Sequence, residues 1–200
     1  MTTARDLAIV ALGATPEGPL EQGDLALALA GAEAVDLLAH GALALDGDRM
    51  VPRPGLVTDD RLLNRAAGSI VSHEPYETIE QWLWRRGSNL AAAYAEDLQR
   101  TGLIDRSRSR WRRPRFVRTA PDGPLERPCA EERTQSQEAV LTVLLDQLGL
   151  VDGHQAVDED LFEDDVARVL AAVGDAVTQL EAARLKQDVE RAAFDNMWRG

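Results

Sequence analysis

A single cysteine, a single lysine and few aromatic side chains set the first bounds on this 200-residue chain. With Cys129 alone, no intrachain disulfide can close, and neither a multi-cysteine zinc site nor an iron–sulfur site is available, so a reducing cytosol is the expected compartment. Aromatics make up only 4% of the residues, which leaves the abundant alanine and leucine, both strong helix formers, to build the core. No stretch approaches the roughly 18 to 20 apolar residues that a membrane-spanning helix needs. The apolar run inside MTTARDLAIVALGATPEG is too short for a signal peptide, and any membrane contact is expected to be peripheral.

Chemistry-bearing motifs are missing as well. There is no Gly-rich phosphate loop, nucleophile elbow or HExxH. His40, His73 and His154 lie far apart without metal-ligand spacing, and structural or surface roles are expected for them. DEDLFEDD, residues 158–165, holds six acids in eight positions but lacks the spacing of a calcium loop, and acids are favoured in the first turns of a helix. It reads as a solvated helix start. No enzyme activity, cofactor or metal is expected.

What the chain does have is helical periodicity. Residues 4–12 predict a short helix closed by Gly13. In EQGDLALALAGAEAVDLLAHG, Leu25, Leu29, Ala32 and Val35 mark one face while Leu27, Ala34 and Leu38 mark another, so this helix is buried nearly all round, with Gly41 as its C-terminal stop. Asp46-Gly47 within ALALDGDRMVP signals a hairpin. A third helix is expected near Thr58, capped by Thr58 or Asp59. Residues 77–102 predict two helices broken at Gly87, the second capped by Ser88. After a proline-interrupted stretch, 131–151 forms a strong helix, and two more, 158–174 and 176–198, complete the chain. The fold class is mostly α, a single-domain helical bundle with small β-hairpins. Trp82 and Trp84, two apart, cannot share a helix face, so one is expected inside and one near the surface.

Charge is the most uneven feature. Twenty-one of the 22 basic residues are arginine, and RSRSRWRRPRFVR, residues 106–118, holds seven of them with no acid. Removing these seven from the net charge of −12 leaves −19 on the other 187 residues. Pro114 disfavours a central strand, so 103–118 predicts a protruding hairpin or edge ribbon. Arg106, Arg108, Arg110, Arg112, Arg113 and Arg115, with the interleaved Trp111, are the candidate residues for anionic lipid headgroups. Arg85 and Arg86, beside Trp84, join them, because an amphipathic ring and guanidinium groups suit a headgroup layer.

The ordered set GAEAVDLLAHGALAL, TIEQWL, YAEDLQRTGLIDRSRSRW and SQEAVLTVLLDQLGLV resembles the Golgi phosphoprotein 3 family in the form of its bacterial, actinobacterial relatives, over about residues 5–185. The resemblance implies a single, mostly helical domain without enzymatic activity. It further implies a peripheral membrane adaptor like the eukaryotic members, which bind phosphatidylinositol 4-phosphate and retain glycosyltransferases. Their headgroup pocket uses a tryptophan and three arginines; the matching positions here are Glu21, Ala30, Ser88 and Ala91, all four substituted.

The leading expectation is therefore a cytoplasmic protein peripheral on the inner face of the cell membrane, with anionic lipid headgroups as partner. The alternative is a soluble homo-oligomeric module assembling through the 103–118 hairpin, which could meet the acids of 158–165. Nucleic acid is not expected, given −19 on the remainder and no recognisable binding module.

Overall fold

A computed structural model describes residues 2–13, 20–55, 58–103, 105–106, 116–117, 135–151 and 162–198. Among these, seven helices and two antiparallel strand pairs are present, matching the mostly α expectation. The organising element is α2 (Gln22–Ala39), in which 14 of 18 residues are buried. It is flanked by α1 (Thr3–Gly13), α3 (Arg61–Ala67), α4 (Ile79–Gly87), α5 (Leu90–Arg100), α6 (Gln135–Gln147) and α7 (Asp164–Trp198). A helix covered by so many neighbours needs small side chains, and its run of alanines supplies them. At Gly31 even a methyl group is too much, since a Cβ there would overlap Val173 Cγ2 of α7.

The predicted stop of α2 is present. Gly41 adopts φ +66°, its N–H donates to Leu38 O, and Ala42 N–H donates to Leu37 O, both at 2.9 Å, the Schellman arrangement. The chain then turns into β1 (Leu43–Asp46) and β2 (Arg49–Pro52), paired in the register Asp46↔Arg49 around the Gly47-Asp48 turn. Met50 of β2 is fully buried, and its N–H donates to Glu77 O at 2.9 Å, so the hairpin orders the approach to α4. Thr78 and Gln81 close a capping box at that helix start.

Three local expectations change. The cap of α3 is Asp60, whose carboxylate accepts from Leu62 N–H and Leu63 N–H, rather than Thr58 or Asp59. Ser88 does not cap α5: it ends α4, and Asn89 starts α5 in the left-handed region at φ 62°, a conformation that asparagine tolerates. The two helices expected after residue 158 are, from Asp164 onward, one continuous helix of 35 residues, about 52 Å long at 1.5 Å per residue. Gly174 lies inside it because α6 comes close. Gln147 Nε2 sits 3.3 Å from where a Cβ would stand and donates to Leu170 O at 3.1 Å.

The two tryptophans divide as expected. Trp82 is fully buried and Trp84 is 40% exposed. Trp82 Nε1–H donates to Ala30 O at 3.0 Å, which satisfies its polar edge inside the core.

Candidate functional site

The ends of the arginine segment are held together by β3 (Asp105–Arg106) and β4 (Phe116–Val117), with Asp105 opposite Val117 and Arg106 opposite Phe116. β4 lies against α1. The base of the expected hairpin is thus in place on the helical body. Arg108, Arg110, Trp111, Arg112, Arg113 and Arg115 lie outside the described residues.

Arg85 and Arg86 have specific surroundings. Arg85 donates from Nε and Nη2 to the two oxygens of Glu77, at 3.0 and 2.7 Å, and from Nη2 to Ser69 O at 3.0 Å. Its guanidinium also stands 5.3 Å from the Trp82 ring centroid, within cation–π range. Arg86 reaches inward to Glu33, Nε to Oε2 at 2.7 Å and Nη2 to Oε1 at 2.8 Å. Both form two-pronged ion pairs with buried carboxylates, the strongest geometry a guanidinium offers. Of the four family pocket positions, Ala30 and Ala91 are buried in the core, while Glu21 and Ser88 are exposed.

The sequence reading missed a set of buried acids. Asp24, Glu33 and Asp36 all lie on α2, joined by Glu77 and by Asp97 on α5. Burial raises the Glu33 pKa, against the hydrogen bond and charge of Arg86 and the hydrogen bond from Tyr94. The Tyr94 hydroxyl, itself buried, donates to Glu33 Oε1 at 3.2 Å, and burial with the nearby Glu33 charge holds its pKa well above the usual value. Asp36 accepts from Thr3 N–H and Ala4 N–H at 2.9 and 3.0 Å, a cap for α1 supplied from across the core. Burial raises its pKa to about 6, partly offset by those same bonds. Asp24 meets Arg184 of α7 at 2.8 Å. The signal for three of these acids was available: a helix apolar all round cannot send its acids to solvent, so each must find a partner.

Asp97 differs from the others because three arginines share it. Arg100 Nη2 lies 2.7 Å and Arg61 Nη2 3.3 Å from Oδ1, and Arg5 Nη1 lies 3.5 Å from Oδ2. Burial alone would raise the Asp97 pKa, but the Arg100 hydrogen bond together with the charges of Arg100 and Arg5 and the Arg61 bond holds it below the usual carboxylate value. This arrangement concentrates positive charge rather than preparing acid–base chemistry.

Among the described residues no three His, Cys, Asp or Glu side chains are grouped to hold a metal ion, and no helix is long and apolar enough to cross a membrane. No curated protein and no solved structure matches the chain. A family model described as Golgi phosphoprotein 3 (GPP34) matches residues 4–197, which takes in both strand pairs and all of the described helices except the terminal residues Thr3 and Trp198. The chain belongs to the Golgi phosphoprotein 3 family.

Proposed function

We propose that this chain is a non-enzymatic adaptor that docks peripherally on an anionic membrane through the arginine segment, residues 103–118. One observation carries the reading: seven arginines without an intervening acid occupy a segment whose two ends are paired as β3 and β4. Near an anionic surface each arginine contributes about 1 kcal/mol, so several suffice for reversible binding. The acidic remainder opposes this only weakly where it lies more than a Debye length of about 10 Å from the membrane. Membership of the family supports the same reading. The substituted positions Glu21, Ala30, Ser88 and Ala91 offer no guanidinium, so recognition rests on charge density rather than on one headgroup.

Liposome sedimentation tests this. The wild-type chain should pellet with anionic vesicles and not with neutral ones, and added salt should release it. Replacing Arg108, Arg110, Arg112 and Arg113 by Ser should abolish pelleting. Equal binding to neutral vesicles, or no loss in the variant, would overturn the reading.

A further inference from the structure

We infer that the surface where Arg5, Arg61 and Arg100 converge on Asp97 is a binding site for a phosphate group, either inorganic phosphate or a phosphomonoester. The three arginines come from α1, α3 and α5, so three separately anchored helices set their positions. Asp97 is 5% exposed, whereas the Arg61 and Arg100 side chains are 68% and 57% exposed. The carboxylate forms the floor, and two of the guanidiniums face solvent above it.

Charge argues for a ligand of matching size. One guanidinium is enough to neutralise Asp97. The second and third gain little on a shared carboxylate and repel each other, so Asp97 by itself leaves two guanidiniums unanswered, while the nearby Asp60 is engaged by Thr2 Oγ1 and by the first N–H groups of α3. A phosphomonoester carries about 1.5 to 2 negative charges near neutral pH and offers three acceptor oxygens. A carboxylate ligand would leave excess charge behind. Donors are also in supply, since each guanidinium has five N–H groups. Among the described residues these three are engaged only through Nη atoms, to Asp97 and, from Arg5 Nη2, to Thr101 Oγ1 at 3.4 Å. The site is built from residues other than those of the arginine segment, and the inference does not rest on membrane docking.

The test is a titration of the full chain with inorganic phosphate against chloride at equal ionic strength, read by calorimetry and by the thermal midpoint. Phosphate should bind saturably and raise the midpoint. Arg61→Gln and Arg100→Gln, at side chains more than half exposed, should each keep the fold by circular dichroism and weaken binding roughly tenfold or more, the loss of one charge-assisted bond. The variant with Arg108, Arg110, Arg112 and Arg113 changed to Ser should bind phosphate as the wild type does, which separates this site from the membrane-docking segment. Parallel arms with phenyl phosphate, and with phosphatidylcholine vesicles with and without phosphatidic acid, distinguish a soluble from a lipid-borne phosphate; binding in either arm that is lost in Arg61→Gln supports the site. No binding to any of these probes, or equal affinity in Arg61→Gln, Arg100→Gln and wild type, would overturn it.

Discussion

Replacing Arg86 by Met should be among the most damaging changes available to this chain. Glu33 is fully buried, and the Arg86 side chain is 12% exposed. Two bonds of 2.7 and 2.8 Å join them, and only the Tyr94 hydroxyl at 3.2 Å would remain for the carboxylate. Breaking one side of a buried pair leaves an uncompensated charge and costs about 3–5 kcal/mol. For a chain of this length each kcal/mol lowers the thermal midpoint by about 2–4 °C, so a fall of roughly 8–16 °C is expected for the middle of that range. Urea denaturation supplies the free energy directly. The double variant Arg86→Met with Glu33→Met should recover most of the loss, because two apolar side chains can fill the space that the ion pair occupied.

The penalty should also depend on pH. Burial already holds the Glu33 pKa above 4.5 in the folded chain, and removing Arg86 takes away the largest opposing effect, raising it further. A carboxyl with a raised folded pKa gains stability as pH falls through that value. The Arg86→Met penalty should therefore shrink as pH is lowered toward the ordinary carboxylate range, where the buried carboxyl takes up its proton. A loss no larger than about 1 kcal/mol, the size of an exposed pair, or a double variant no more stable than the single, would refute the reasoning.

Two further outcomes are expected. Gly31→Ala would drive a methyl group into Val173 Cγ2 and should cost about 1–3 kcal/mol as an overpacked core; adding Val173→Ala should return part of it, and denaturant midpoints of the three chains decide. Asp36 titrates at about 6 when folded against 3.8 in the unfolded reference, so folding takes up a proton there and stability should rise as pH falls from about 7 to 4, by about 3 kcal/mol for a shift of this size. Asp36→Asn should flatten that slope apart from the part due to Glu33, as a series of unfolding curves across the range will show.

Much of this architecture was legible in the sequence because its signals are local. The apolar run of α2, the glycine that stops it, the Asp-Gly hairpin and the spacing of Trp82 and Trp84 all act within a few residues. The partners of the buried acids were not legible in that way. Glu33 and Arg86 stand 53 residues apart, and Asp24 and Arg184 stand 160 apart, so no periodicity joins them. Gly174 misled for a related reason: a glycine in a helical pattern signals a stop when only its own conformation is weighed, and a close approach when a second helix lies against it. Ser88 is preferred over asparagine as a cap by no clear margin, and the left-handed backbone at Asn89 decided the boundary instead.

The distribution of arginine explains why net charge is a poor guide to what an anionic partner would meet. Arg85, Arg86 and Arg184 answer acids buried between helices, and their charges are spent on holding the bundle together. Asp36 needs no cation at all, because two backbone N–H groups of α1 satisfy it. Arg5, Arg61 and Arg100 outnumber their one carboxylate, and the segment 106–118 contains no acid. A chain of net charge −12 can thus carry two local excesses of positive charge. Screening limits what each excess feels to roughly 10 Å, so an approaching phosphate responds to the local excess and not to the total. Proximity in the fold links the two: β4, which closes the arginine segment, lies against α1, the helix that carries Arg5.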